Sequence, residues 1–152
     1  MSADIASVHA SAVLAGNRAV LIRGAAGTGK SSLALALLGA AATGMLRFAR
    51  LVGDDRVHVE PCHGRLVVRP APSLAGLIEV RGVGIRRLDY EEAAIVGLVV
   101  DLAAENAERL PQPGETVLKG VNLPRLAVAA NADPLHPVLV FLAAPATGIK
   151  SL

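Results

Sequence analysis

Short apolar runs alternate with turns that contain glycine, proline or asparagine along most of the chain, a pattern typical of β-strands. The runs at 13–14 and 19–22 flank the tetrapeptide 15–18 and predict a β-hairpin that leads into a glycine-rich loop. The other predicted strands cover residues 49–53, 57–60, 66–69, 77–81, 96–102 and 123–129, with 57–60 and 66–69 forming a second hairpin. The run at 96–102 is almost continuously apolar, which is typical of a strand in the centre of a sheet.

Two segments predict helices. Residues 31–42 are almost all strong helix formers, and Gly44 provides a stop. Residues 135–144 predict a shorter helix with Pro137 near its first turn. Together these elements predict an α/β fold, a P-loop-containing mixed sheet with the first helix on one face. The hairpins argue against a purely parallel, doubly wound sheet. No repeat or linker divides the sequence, so residues 1–152 are expected to form a single domain.

The composition narrows the classes of protein. Hydrophobic residues make up 53% of the 152 positions and aromatic residues only 2%, which predicts a core of Ala, Val, Leu and Ile. The longest uncharged stretches, 31–46 and 134–149, are shorter than the ~20 apolar residues that cross a bilayer. The N-terminus lacks the cationic start of a secretion signal, and a single cysteine fits a reducing compartment. We therefore expect a soluble, cytoplasmic protein without membrane contact.

The positive charge does not predict nucleic-acid binding. The formal net charge is only +2, and the basic residues are scattered along the chain. Very few aromatic side chains are present to stack on bases. No nucleic-acid partner is expected.

A complete phosphate-binding motif lies between the strand predicted at 19–22 and the helix predicted at 31–42. Residues 24–31 fit the P-loop pattern G-x-x-x-x-G-K-[ST] at every required position. Glycines let the backbone aim several N–H groups at an anion, beside the positive end of the helix. Lys30 can reach the β- and γ-phosphates of ATP, and the Ser31 hydroxyl can occupy one position on Mg²⁺. The predicted nucleotide-binding residues are Gly24, Ala25, Ala26, Gly27, Thr28, Gly29, Lys30, Ser31 and Ser32.

Two adjacent carboxylates, Asp54 and Asp55, follow the strand predicted at 49–53. A P-loop enzyme needs a carboxylate near Mg²⁺, often at the end of an apolar strand. Adjacent acids at a strand end point in different directions, so one can face the nucleophile as a base while the other faces the metal. The residues alone do not assign the two roles, and they also allow a solvated acidic turn.

Three further features are ambiguous on their own. His9 and Glu79 are both compatible with ordinary surface positions. Arg81, Arg86 and Arg87 form a basic cluster beside a Gly-x-Gly turn. The cluster could clamp phosphate, dock an acidic partner or be a solvated face.

Three segments, read in order, resemble the catalytic domain of the HPr kinase/phosphorylase family. Ser7-Val8-His9, ahead of a hairpin and the P-loop, resembles the serine–x–histidine start of that domain. Residues 51–57 (LVGDDRV) are similar to the family segment in which an apolar pair precedes Ala-Asp-Asp. Residues 77–85 (LIEVRGVGI) closely match its signature, Leu-Glu-Ile-Arg-Gly-Leu-Gly-Ile. The resemblance implies the P-loop core that the family shares with phosphoenolpyruvate carboxykinases.

The resemblance implies a role for each matching residue. Asp54 would be the catalytic base that takes the proton from the substrate serine, and His9 would sit beside Asp54 and tune its protonation. Asp55 and Glu79, together with Ser31, would hold Mg²⁺ directly or through water. Lys30 would act on the transferred phosphoryl group. Arg81 would help to position phosphate.

The implied activity is an ATP-dependent protein-serine kinase that phosphorylates HPr or an HPr-like carrier of a bacterial phosphotransferase system. The family can also remove the phosphate by phosphorolysis, and it forms hexamers. The family's N-terminal domain is not expected here, as in the short form of alphaproteobacteria. Ser32 replaces a common Glu, and neither the family's basic Gly-Arg-Asn segment nor its full helical tail is recognisable, so phosphorolysis and hexamer formation are less directly implied. The alternatives are a P-loop regulatory module without kinase activity and a small-metabolite kinase.

Overall fold

A computed structural model describes residues 7–107 and 114–143 of the protein. Its two α-helices are α1 (Lys30–Ala42) and α2 (Leu135–Ala143). Its strands are β1 (Ser7–Val8), β2 (Ala10–Ala15), β3 (Arg18–Arg23), β4 (Ala49–Gly53), β5 (Val57–Cys62), β6 (Arg65–Pro70), β7 (Leu77–Val80), β8 (Gly84–Arg87), β9 (Ala94–Leu102), β10 (Gly114–Leu118) and β11 (Val121–Val128). A single 3-10 turn at Pro72–Leu74 precedes β7.

Nine of these strands form one mixed sheet in the order β1-β5-β6-β9-β3-β2-β4, with β11 on the free half of β9 and β10 beside β11. The centre is parallel, because β3 and β11 both run parallel to β9. The hairpin β2–β3 and the pair β2–β4 are antiparallel. The remaining strands, β7 and β8, form a separate two-stranded sheet. The predicted mixed α/β fold is therefore confirmed.

Alternation along β3 divides the core into two layers. Val20 and Ile22 pack on the helix side with Leu33 and Leu37 of α1. Leu21 points to the opposite face, into a second apolar cluster to which β2, β5, β6, β9 and β11 contribute two buried residues each. This follows from the period of two in a strand, which sends successive side chains to opposite faces. None of the helices in the described ranges is long and apolar enough to cross a membrane.

The helix ends follow the local sequence. Helix α1 begins at Lys30 directly after Gly29, whose φ of +104° lies in a region that glycine enters without steric cost. It ends near Gly44, where the N–H of Met45 donates to the carbonyl of Ala40 at 2.7 Å. Helix α2 matches the prediction up to residue 143, and Ala144 lies outside the described residues.

Three strands were not predicted, namely the two-residue β1, β8 and β10. The charged stretch from residue 86 contributes to β8, which pairs with β7 through a Gly-x-Gly turn. Strand β10 pairs with β11. Most of its side chains are exposed, so its sequence shows no apolar alternation. Backbone hydrogen bonds to β7 hold β8 in the strand conformation, and those to β11 hold β10.

Candidate functional site

The phosphate-binding loop connects the carboxyl end of the central strand β3 to α1. Gly24, Gly27 and Gly29 all have positive φ values, which turn the backbone around the centre of the loop. A Cβ atom at Gly24 would lie only 2.5 Å from the Thr28 hydroxyl oxygen, so a larger residue would displace that side chain. The Thr28 hydroxyl itself donates to the carbonyl of Ala25 at 2.7 Å and braces the loop. The three glycines and the Thr28 contact therefore hold the loop in one curved conformation between β3 and α1.

Lys30 is buried at the first position of α1. Its Nζ atom donates to the carbonyl oxygens of Gly24 at 2.8 Å and Ala25 at 3.2 Å. These two contacts hold the ammonium group across the loop, beside the positive end of the α1 dipole. The position suits a cation that contacts phosphate oxygens.

The Asp54 carboxylate lies beneath the loop and is only 4% exposed. Its Oδ1 accepts hydrogen bonds from the Ser11 hydroxyl at 2.6 Å and the Ser31 hydroxyl at 2.8 Å. Its Oδ2 accepts from the same Ser31 hydroxyl at 2.8 Å and from the backbone N–H of Glu79 at 3.2 Å. Three protein donors therefore occupy both carboxylate oxygens. The carboxylate also fixes the direction of the Ser31 hydroxyl, leaving its lone pairs for a cation.

Asp55 adopts a different conformation from its neighbour. Its φ is +71°, and the N–H of Arg56 donates to the carbonyl of Asp54 at 2.8 Å, which closes a three-residue turn around Asp55. Such positive-φ turns at residues other than glycine are strained by about 1–3 kcal/mol and occur mostly at functional sites. The turn orients the two adjacent carboxylates in different directions. Asp54 is buried and Asp55 is exposed.

His9 contacts Asp55 and not Asp54. The distance between His9 Nε2 and Asp55 Oδ1 is 3.0 Å. The expected contact between His9 and Asp54 is therefore wrong, because the positive φ of Asp55 brings the second carboxylate to the histidine while Asp54 points to Ser31. The backbone supports this pairing, since the N–H of Ala10 donates to the carbonyl of Asp55 at 3.1 Å.

A cavity of about 330 Å³ gathers most of the predicted site residues. Its lining residues are His9, Ala26, Gly27, Gly29, Lys30, Ser31, Ser32, Asp55, Glu79, Arg81 and Gly82. Gly24, Ala25 and Thr28 form the rest of the loop, and Asp54 lies behind Ser31. The lining includes two cationic side chains, Lys30 and Arg81, and two acidic side chains, Asp55 and Glu79. A larger cavity of about 820 Å³ lies elsewhere, near the turn between β2 and β3, and contains none of these residues.

The donor set fits Mg²⁺ bound together with a nucleotide. Mg²⁺ prefers oxygen ligands and is usually held by one or two carboxylates plus phosphate oxygens and water. Ser31, Asp55 and Glu79 present a hydroxyl and two carboxylates to one cavity. Within residues 7–107 and 114–143, no three or more His, Cys, Asp or Glu side chains converge into a complete metal cage. Such a site would need ligand oxygens from the nucleotide.

Residues 2–128 match the family model described as HPr Serine kinase C-terminal domain. The chain belongs to this family. Known members include the HPr kinase/phosphorylase of Streptococcus thermophilus, which is 36% identical over 155 residues that cover 93% of this chain and 48% of the relative. The HPr kinase/phosphorylase of Limosilactobacillus reuteri is 34% identical over 135 residues, covering 80% of this chain and 40% of the relative. This family member therefore spans about half the length of the curated relatives it matches.

The fold of this family member also matches a solved structure. The Hpr(Ser) kinase/phosphatase from Coxiella burnetii superimposes with a TM-score of 0.74 at 22% sequence identity, over 90% of this chain and 93% of that chain. At this identity the match establishes the fold. It supports the mixed α/β fold that was predicted from the sequence and is described above.

Two polar groups of this family member were missed in the sequence. Ser11 is fully buried in β2, and its hydroxyl oxygen also accepts from the N–H of Asp55 at 3.3 Å, so it links both aspartates. The sequence marks Ser11 only as a hydroxyl residue inside an apolar strand. The two aspartates that it contacts lie 43 or more positions further along the chain. The second is the ion-paired cluster of Asp101 with Arg23 and Arg125, which lie on three strands that are adjacent only in the folded sheet.

The Asp101 cluster lies directly next to the phosphate-binding loop, because Arg23 precedes Gly24. Arg23 binds the Asp101 carboxylate with two hydrogen bonds of 2.7 and 2.8 Å, and Arg125 donates to the same carboxylate. Burial alone would raise the pKa of Asp101. The hydrogen bonds and positive charges of the two arginines outweigh burial and lower the pKa below its ordinary value. The cluster therefore ties β3, β9 and β11 together at the base of the loop.

Proposed function

We propose that the chain is a protein-serine kinase that transfers the γ-phosphoryl group of Mg²⁺-ATP to a serine of an HPr-like phosphocarrier protein in the cytoplasm. The observation that carries the proposal is the His9–Asp55 pair, which faces the same cavity as Lys30 and Ser31. A phosphate-binding loop alone would serve a nucleotide switch equally well. A carboxylate that is held by a histidine and exposed to the same cavity supplies the base that a kinase needs.

We assign the base to Asp55 and not to Asp54, which is a change from the role implied by the family resemblance. Asp54 is buried, and its two oxygens already accept hydrogen bonds from Ser11, Ser31 and Glu79. An acceptor hydroxyl would have to displace one of these donors. Asp55 is exposed and has one side-chain partner, His9, among the described residues. A substrate hydroxyl can therefore approach Asp55 without breaking the support of the loop.

The other side chains hold and orient the reacting groups. Asp54 fixes the Ser31 hydroxyl toward the metal position, and Ser31 with Glu79 supplies oxygen ligands there, which leaves the Asp55 carboxylate for the proton. Lys30 and Arg81 supply positive charge next to the transferred phosphoryl group. His9 orients the Asp55 carboxylate toward the hydroxyl of the acceptor serine, and that carboxylate takes the proton. When bound, Mg²⁺-ATP supplies the phosphoryl group and neutralises part of its negative charge.

The same arrangement would support the reverse reaction, as the names of the family relatives suggest. Inorganic phosphate would enter the cavity beside Lys30 and Arg81, and Asp55 would hold the proton that the serine oxygen needs on leaving. The bond between the serine oxygen and phosphorus would break while the attacking phosphate forms pyrophosphate. This reaction uses no residue beyond those of the forward step.

Phosphoryl transfer to a purified HPr carrier tests the proposal. Wild-type protein with Mg²⁺-ATP is expected to place phosphate on one serine of the carrier, measured by intact mass and peptide mapping. A carrier whose acceptor serine is replaced by alanine is the control and should gain none. Added inorganic phosphate should release the label as pyrophosphate. Nucleotide binding without any transfer to the carrier would favour the regulatory module instead and would overturn the kinase proposal.

A further inference from the structure

The hairpin formed by β7 and β8 stands beside the cavity and is attached to the site by its first strand. Ile78 of β7 is almost fully buried in the core under α1, and the N–H of Glu79 donates to the Asp54 carboxylate. The N–H of Leu88 donates to the carbonyl of Gly76 at 2.7 Å, which closes the base of the hairpin. The first strand is therefore fixed with respect to the site. The whole of β8 is exposed.

One face of this hairpin continues the wall of the cavity. Glu79 and Ile85 lie directly opposite each other in the antiparallel register, so their side chains are on the same face. Glu79 lines the cavity, whereas Ile85 is 64% exposed. Val83, in the turn between the strands, is 52% exposed. Large apolar side chains on the surface next to a reaction cavity are typical of a contact with another macromolecule.

The apolar face has a positive rim. Arg87 follows Ile85 by two positions on the same face of β8, and Arg81 lies in the turn; both are exposed. Arg86 lies on the opposite face of the strand. Within residues 7–107 and 114–143, neither Arg81 nor Arg87 forms an ion pair with a carboxylate. Unpaired arginines around exposed apolar side chains favour a partner that carries acidic groups around an apolar residue.

We propose that the face of the β7–β8 hairpin that carries Ile85, together with Val83, docks the protein that receives the phosphate. This inference rests on the proposed kinase function and deepens it, because it names the surface that selects the acceptor. The partner is a protein segment with an apolar side chain near the acceptor serine and acidic side chains around it. A small hydroxyl compound would fill the cavity without reaching Ile85, so this face distinguishes a protein acceptor from a metabolite.

Steady-state kinetics with the variant Ile85→Thr test the docking surface. Threonine keeps the β-branched shape that suits a strand but replaces apolar surface with a hydroxyl. The KM for the HPr carrier should rise about tenfold, the loss expected for one interface contact of moderate strength, while the KM for ATP and the kcat stay unchanged. Val117→Thr is the matched control, because Val117 is 62% exposed on β10 and lines none of the cavity. Its kinetics should equal those of the wild type.

A second variant tests the positive rim. Arg87→Gln should raise the KM for the carrier and weaken the dependence of that KM on salt, because one exposed charge is removed. Equal effects of Ile85→Thr and Val117→Thr on the carrier KM would overturn the docking surface while leaving the kinase proposal in place. Wild-type protein that binds ATP but phosphorylates no carrier would refute the kinase proposal, and the docking inference would fail with it.

Discussion

Replacement of Ser11 by alanine perturbs the link between the two aspartates of the site. Ser11 is fully buried in β2. Its hydroxyl donates to Asp54 Oδ1 at 2.6 Å and accepts from the backbone N–H of Asp55 at 3.3 Å. The variant Ser11→Ala removes one of the three hydrogen-bond donors that stabilise a carboxylate with 4% exposure, and it leaves the Asp55 N–H without its acceptor. The apolar surroundings in β2 accept the alanine side chain without steric conflict.

The magnitude follows from the kind of hydrogen bond that is lost. A hydrogen bond to a charged group contributes about 1.5–3 kcal/mol, and the long contact to the backbone N–H adds at most about 1 kcal/mol. Ser11→Ala should therefore lower the free energy of unfolding by about 2–3 kcal/mol. If the support of Asp54 and Asp55 stabilises the transition state by about 2 kcal/mol more than the enzyme–substrate complex, its loss lowers kcat about thirtyfold.

Urea unfolding and steady-state kinetics measure these two effects. The free energy of unfolding and the kcat should both fall in Ser11→Ala, and the KM for ATP should change little because no atom of the phosphate-binding loop is removed. Ser73→Ala, on the exposed 3-10 turn, is the control and should behave like the wild type. A variant at Ser11 with unchanged stability and unchanged kcat would refute the reasoning that this hydroxyl supports the aspartates.

Two further predictions concern charged groups at the loop. Lys30→Ala should weaken the affinity for Mg²⁺-ATP about a hundredfold by calorimetry, because the buried ammonium group at the loop is lost, and an unchanged affinity would contradict the assignment of the loop. Asp101→Asn should lower the free energy of unfolding at pH 7 by about 2–3 kcal/mol, since Arg23 and Arg125 lose their shared carboxylate. Because the folded-state pKa of Asp101 is lowered, its contribution is complete above the ordinary value of 3.8 and disappears as the pH falls through the lower folded value. Urea unfolding between pH 7 and pH 3 should show a shallower loss of stability in acid for Asp101→Asn than for the wild type, and identical slopes would contradict the assignment.

The sequence predicted the phosphate-binding loop and the central strands because their signals are local. The P-loop needs fixed residue types within eight positions, and the apolar run at β9 is typical of a buried strand. Strands β8 and β10 were missed for the opposite reason. Their side chains are mostly exposed, so their conformation depends on hydrogen bonds to β7 and β11 and leaves no apolar pattern in the sequence.

The sequence also predicted that Asp54 and Asp55 belong to the site, but the family resemblance implied Asp54 as the neighbour of His9, which contacts Asp55. Which aspartate meets His9 depends on the positive φ of Asp55, a single backbone angle that side-chain identity does not specify. The same limit applies to Ser11 and to the Asp101 cluster. Ser11 meets Asp54 across 43 positions, and Arg23 meets Asp101 across 78, so only the sheet register brings them together.

The assignment of the catalytic base to Asp55 is tested most directly by single-turnover transfer from Mg²⁺-ATP to the carrier serine. Asp55→Asn should bind ATP with near wild-type affinity and should slow transfer by about 10²–10⁴-fold, the usual contribution of general base catalysis. Asp54→Asn should raise the Mg²⁺ concentration that half-saturates the reaction, because the amide removes the negative charge and one of the two oxygens that accept from the Ser31 hydroxyl. Asp89→Asn, an exposed aspartate outside the cavity, is the control. Wild-type transfer rates in Asp55→Asn, with transfer abolished only in Asp54→Asn at saturating Mg²⁺, would contradict the account.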